Sequence, residues 1–160
     1  MRHPRTVIAA LSLSASALVG IAQLEGYTDR AVIPVPGDVP TMGFGTTRHA
    51  DGTQVSLSDR TTPQRALADL LRDANTHSNG IKKCITAPLH QHEFDAYSSL
   101  AYNIGVGAFC ASSIPKKLAE GRYGEACATI LDFNGKCVQK KVLRGLEIRR
   151  QAEHKTCVGG

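Results

Sequence analysis

The chain has no tryptophan, and aromatic residues make up 5% of its 160 residues. A formal net charge of +5 predicts attraction to polyanions. Nucleic acid is not the expected polyanion, because neither stacking platforms nor a recognition motif accompanies the basic residues. None of the five cysteines forms a Cys-x-x-Cys pair, which argues against zinc or thioredoxin-like chemistry. His90, His92 and His154 are scattered and read as solvated or capping groups. No metal and no cofactor are expected. Charge is missing altogether between Thr6 and Leu24.

That uncharged run reaches the length of a marginal transmembrane helix. Ser12, Ser14, Ser16 and Gly20 keep it weakly hydrophobic, and Arg2 and Arg5 before it favour an N-in orientation. A retained anchor, a cleaved signal peptide and a buried soluble helix are the three readings. Cleavage near Ala22 would leave Glu25 close to a fraying terminus. The sequence therefore divides into an N-terminal segment that carries the uncharged run, 1–24, and a domain of 25–160.

Cys84, Cys110, Cys127, Cys137 and Cys157 support export to an oxidising compartment. Sequence leaves their connectivity open. Cys127 and Cys157 each fall in a predicted C-terminal helix that a bridge would staple, and Cys84 with Cys110 would pin the two ends of a central helix. Cys137 is the odd one. With no cysteine in the apolar run, activation by thiol exchange from within it is excluded.

Immediately after the run comes EGYTDRAVIPVPGDVPTMGFGTT, from Glu25 to Thr47. Pro34, Pro36 and Pro40 exclude helix, and the glycines permit turns, so an extended ribbon is expected to fold Asp38 and Thr41 back toward Glu25. Two carboxylates and a hydroxyl across a cleft suit glycosidic hydrolysis, in which an acid protonates the leaving oxygen and another group activates water. Asp38 has a second reading as a turn-capping residue. Asp29 would share a helical face with Glu25 if the N-terminal helix continued.

Downstream the pattern is mainly helical. Ala50 to Asp59 is turn-like with Val55 and Leu57 alternating, as in outer strands of a small sheet. Thr62 and Pro63 open a helix that ends by Asn79-Gly80. Pro88 and His90 begin another, placing Phe94, Tyr97, Ala101 and Ile104 on one core face. Helices over Ile114 to Leu118, Tyr123 to Leu131 and Val138 to His154 complete the pattern, with Leu143 and Leu146 inward on the last.

Glu25-Gly26, Thr41-Met42-Gly43-Phe44-Gly45 and QHEFDAYSSLAYNIGVGAF from Gln91 to Phe109, in this order, resemble the phage-type lysozymes, the endolysins of glycoside hydrolase family 24. The resemblance runs from about Leu24 to Cys157. It implies an α+β, lysozyme-like fold with a small β lobe, a mainly helical lobe and an N-terminal anchor or release helix. It also implies cleavage of the β-1,4 bond between N-acetylmuramic acid and N-acetylglucosamine in peptidoglycan, by a monomer. By position Glu25 matches the family's acid and Thr41 its threonine. The family's aspartate falls on Val35, leaving Asp38 as the nearest carboxylate, and its usual histidine is Thr46. Tyr102, Asn103 and Gly105 match the block that lines the substrate site, where Asn103 can donate to and accept from an acetamido sugar. The seven basic residues against two acidic between Asn134 and Cys157 suit the acidic stems of a cell wall.

The N-terminal arrangement resembles the signal-arrest-release endolysins, held on the periplasmic face of the inner membrane until depolarisation frees them, which implies a signal-anchor/release segment, 1–24, ahead of a lysozyme-like catalytic domain, 25–160. A lytic transglycosylase, which needs no water-activating carboxylate and forms 1,6-anhydro ends, and an inactive wall-binding protein are the alternatives.

Overall fold

The computed structural model describes residues 4–134 and 144–159. Arg2, Cys137, Lys136, Lys140, Lys141, Leu143 and the start of the helix expected from Val138 lie outside the described residues. The chain forms two compact units, Leu18–Asn75 and Met1–Ala17 with Thr76–Gly160.

The apolar run is helical over only part of its length. A 3-10 turn occupies Ile8–Ala10, and helix α1 spans Ala15–Glu25. Ser14 sets the start: its Oγ accepts the Ala17 amide at 3.1 Å, satisfying a donor that the first helical turn leaves open. Gly26 sets the end, with φ +71° and its amide donating to the Ala22 carbonyl at 3.1 Å. A left-handed glycine after the last turn stops a helix without a Cβ clash. Leu11 and Ile21 are buried, whereas Val7 and Val19 are exposed. No helix among the described residues is long and apolar enough to cross a membrane.

In the Leu18–Asn75 unit, β1 (Thr28–Val32) and β2 (Thr41–Gly43) pair antiparallel, with Thr28 opposite Gly43 and Val32 opposite Thr41 around an irregularity. Asp29 lies in β1, beyond the end of α1, so it shares no helical face with Glu25. The strands expected between Ala50 and Asp59 do not form a ladder. Isolated bridges join Arg48 to Gln54 and Arg30 to Arg60. The reason is local: the Asp59 carboxylate accepts the Ser56 amide at 2.7 Å and faces His49 Nε2 at 2.9 Å, closing a turn where a strand would continue. Val55 is nonetheless buried with Ala31 and Met42, and Leu57 is exposed.

Helix α2 runs Pro63–Ile81. Thr62 Oγ1 accepts the Arg65 amide at 3.3 Å, the expected cap ahead of proline at the first helical position.

The other unit is helical: α3 (Gln91–Ile104), α4 (Val106–Ala111), α5 (Ile114–Ala119), α6 (Tyr123–Thr129), a 3-10 turn (Ile130–Asp132) and α7 (Arg144–Cys157). Its core gathers Phe94, Tyr97 and Ala101 from the expected face of α3, with Ile104 partly buried against it. His90 caps α3, its amide donating to Glu93 Oε2 at 2.8 Å in a reciprocal capping box. Cys84–Cys110 and Cys127–Cys157 are both disulfides, closing separations of 26 and 30 residues. Loops of that length are worth about 2–4 kcal/mol each in restricting the unfolded chain.

Candidate active site

Glu25 is the last residue of α1, half-buried, and its carboxylate lies over Gly45. A Cβ at position 45 would stand 3.1 Å from Glu25 Oε2 and 3.6 Å from Cδ, and Gly45 has φ +87°. The left-handed backbone favours glycine there, and a Cβ would push the carboxylate aside by a few tenths of an ångström. The Tyr27 and Phe44 rings, one on each side of this contact in sequence, approach with centroids 5.5 Å apart.

The loop carrying Gly45 is closed by two backbone bonds, Met42 amide to Thr46 carbonyl at 3.0 Å and the reverse at 2.9 Å. Thr46 is buried, and its Oγ1 donates to Asp73 Oδ2 at 3.0 Å. Asp73 Oδ1 accepts Arg72 Nε at 3.0 Å, and Arg72 Nη2 donates to the Arg48 carbonyl at 3.0 Å. Both ends of the segment from Thr46 to Arg48 are thus tied to α2. The departure from histidine at this position leaves a hydroxyl that holds the loop by a different bond. Sequence reading missed Asp73 and Arg72 because they stand on another element.

Thr41 sits in β2, half-buried, with Oγ1 3.4 Å from the Val32 carbonyl. Asp38 is exposed on the loop between the strands; its Oδ1 accepts the Val39 amide at 2.8 Å, and its own amide donates to the Val35 carbonyl at 3.0 Å. Val35 is 59% exposed. Asp29 is exposed and pairs with Arg30 at 3.5 Å.

In the helical unit, Asn103 is exposed near the end of α3, and its Oδ1 accepts Arg150 Nη2 at 2.6 Å. Tyr102 lies against His77, with ring centroids 5.1 Å apart. Gly105 ends α3, its amide donating to the Ala101 carbonyl at 2.9 Å. Beneath them is a buried ionic group that the sequence reading did not single out. Arg149 Nε pairs with Glu153 Oε1 at 3.1 Å, Arg150 Nη1 with Glu153 Oε2 at 3.2 Å, and Ser99 Oγ donates to Glu153 at 2.8 Å. Burial pushes the Glu153 carboxyl up, against the opposing pull of Arg150 and Arg149. The signal was present in sequence as two arginines three and four residues before a glutamate on one helix.

Against known proteins, the family model described as phage lysozyme matches residues 22–153. The chain belongs to the phage lysozyme family. It is 33% identical over 147 residues to the SAR-endolysin of Pseudomonas phage phiKMV, covering 90% of this chain and 87% of that one. Its fold superposes on the endolysin from Escherichia coli O157:H7 phage FAHEc1 with a TM-score of 0.83 at 30% identity, over 94% of this chain and 95% of the other. The muramidase domain of SpmX from Asticaccaulis excentricus gives a TM-score of 0.79 at 25% identity, over 94% and 99%. As a phage lysozyme the chain is a glycoside hydrolase of peptidoglycan.

Proposed function

We propose that this phage lysozyme cleaves the β-1,4 bond between N-acetylmuramic acid and N-acetylglucosamine with Glu25 as proton donor. The observation that carries the reading is the seat of Glu25. Its carboxylate is laid over Gly45, where a side chain would be strained and would press on it, in a loop fixed to α2 through Thr46 and Asp73. A catalytic acid needs a position that does not wander, because misplacement by an ångström costs rate. Glu25 gives its proton to the glycosidic oxygen as the C1–O bond breaks. Water adds its hydroxide to C1, and its remaining proton passes to Asp38, with Thr41 placing the water. Tyr102, Asn103 and Gly105 take the acetamido sugars.

A second reading follows from Val35. Where the family carries a carboxylate, this chain has an exposed aliphatic side chain, and Asp38 accepts a bond from its own turn. A lytic transglycosylase needs no protein base for water, since the muramic C6 hydroxyl attacks internally. Mass spectrometry of digested peptidoglycan separates the readings: reducing ends establish the hydrolase, 1,6-anhydro ends the transglycosylase, and intact glycan an inactive wall-binding protein.

Residues 1–24 act, in this proposal, as a membrane anchor on the periplasmic side of the inner membrane, and the segment leaves the bilayer when the potential collapses. The uncharged run, its exposed Val7 and Val19, and the SAR-endolysin of phage phiKMV among the relatives support this. Retention rather than cleavage is favoured because the same residues supply buried Leu11 and Ile21 and the helix that ends in Glu25. Fractionation with intact-mass measurement, before and after an uncoupler, is the test.

A further inference from the structure

Residues 5–14 take no part in the proposed chemistry, yet they make a dense set of polar contacts with the start of α3 and with Leu89 just before it. Thr6 and Leu89 exchange backbone bonds at 2.8 and 2.9 Å. Arg5 Nη2 and Nε reach Glu93 Oε1 and Oε2 at 2.8 and 3.1 Å, and the guanidinium lies 3.5 Å from the centroid of the Tyr123 ring. Ser14 donates twice to Asp95, from its amide at 3.1 Å and its hydroxyl at 2.7 Å. Gln91 Nε2 donates to the Ser12 carbonyl at 2.7 Å and to Asp95 Oδ1 at 2.9 Å.

The receiving carboxylates are the informative part. Glu93 is 3% and Asp95 7% exposed. A buried carboxylate is tolerated only with hydrogen-bonding partners, and a forked guanidinium is the best of them. Glu93 keeps the His90 amide, and Asp95 keeps Gln91, when the N-terminal segment is elsewhere. Glu93 then loses both Arg5 bonds and Asp95 both Ser14 bonds.

We propose that Glu93 and Asp95 form the receptor on which residues 5–14 dock after leaving the membrane, and that the Arg5 guanidinium is a charge that must cross the membrane to reach it. The second half rests on the anchor reading above. In an N-in anchor, Arg5 lies on the cytoplasmic side, whereas its docked position is on the folded periplasmic enzyme. Carrying one positive charge outward against an inside-negative potential disfavours release by about fifty-fold per 100 mV. The potential therefore holds Arg5 inside, and its collapse permits capture. Docking then makes return to the bilayer unfavourable, because the ion pair and the two serine bonds would have to be broken first.

Two measurements test this. In purified full-length protein, a double-mutant cycle of Arg5→Gln and Glu93→Gln, read by urea unfolding, is expected to show coupling of at least tenfold in the unfolding equilibrium constant. Additivity within twofold would overturn the receptor. If Glu93→Gln does not fold, the cycle of Ser14→Ala with Asp95→Asn reads the second contact and is judged by the same criteria. In spheroplasts carrying the Glu25→Gln protein, so that no catalysis enters the readout, potassium diffusion potentials set with valinomycin grade the membrane voltage. Release against voltage is expected to flatten by about one charge, fifty-fold per 100 mV, when Arg5→Gln is added. Equal slopes would overturn the role of Arg5. A wild-type protein with no membrane-bound pool would overturn the anchor and with it that role, while the unfolding cycle decides the receptor independently.

Discussion

Glu25→Gln keeps the shape of the side chain against Gly45 and removes its proton. Turnover on cell-wall suspensions is expected to fall at least a hundredfold, within the usual range for losing a general acid, with the melting temperature unchanged. More than a tenth of the wild-type rate would refute the assignment. Asp38→Ala is expected to cost about 10²-fold and Val35→Ala little, if Asp38 handles the water. An Asp38→Ala enzyme at full rate that yields 1,6-anhydro ends would instead identify a transglycosylase. Gly45→Ala tests the seat of the acid: its Cβ would press on Glu25 and strain a backbone at φ +87°, costing about 1–3 kcal/mol. A melting temperature within a degree of wild type, with unchanged kcat, would remove that seat from the account. The contact of Glu25 with Gly45 was within reach of the sequence because both belong to one short stretch with a recognisable order. Thr46's partner was not, since Asp73 lies 27 residues on and meets it only when α2 packs against the loop.

At the scale of elements, local chemistry decided where sequence reading held. Proline after a capping threonine fixed the start of α2, and the apolar spacing of Phe94, Tyr97 and Ala101 fixed the inward face of α3. The N-terminal run was harder, because uncharged residues carry no mark of where helix begins. The boundary at Ala15 comes from Ser14, whose hydroxyl caps α1 while also bonding Asp95, 81 residues away. The stretch before Asp59 was misjudged for a related reason, since its alternation is real but a side-chain turn replaces the ladder. That turn carries a pH dependence. The Ser56 amide, and then His49, hold the Asp59 carboxyl below the usual carboxylate range. A carboxyl lowered on folding adds stability at pH above its unfolded value, and this is lost as pH falls through the lowered one. Melting measured from about pH 6 down to about pH 2 is expected to show a smaller acid loss in Asp59→Asn than in wild type. An identical loss would mean that the His49–Asp59 turn does not report on stability.

For the whole molecule, the anchor proposal requires one segment to satisfy two solvents. In the folded chain, residues 6–24 bury Leu11 and Ile21 and lead directly into Glu25, the proposed acid, while under the anchor proposal their weak hydrophobicity holds them in a bilayer for a limited time. The folded state uses some positions of this segment and leaves others at the surface. Ser14 is committed to Asp95, but Ser12 and Ser16 are exposed, and a Cβ on Gly20 would meet nothing within 4 Å. Leucine at those three positions spares the bonds from Ser14 to Asp95, giving up only the exposed Ser14–Ser16 hydroxyl contact at 2.9 Å, and under the anchor proposal deepens membrane burial, by at most ~1.5–3 kcal/mol for each large side chain fully buried. The triple variant is therefore expected to remain in the membrane fraction after an uncoupler and to delay lysis. Released in detergent and then freed of it, the same protein is expected to turn over peptidoglycan at the wild-type rate, because the substitutions lie away from Glu25's contact with Gly45. Unchanged lysis timing with a normal soluble rate would refute release from the bilayer as the controlling step. A wild-type protein found already cut near Ala22 would place the segment among cleaved signal peptides, and the buried Leu11 and Ile21 would then be missing from the working enzyme.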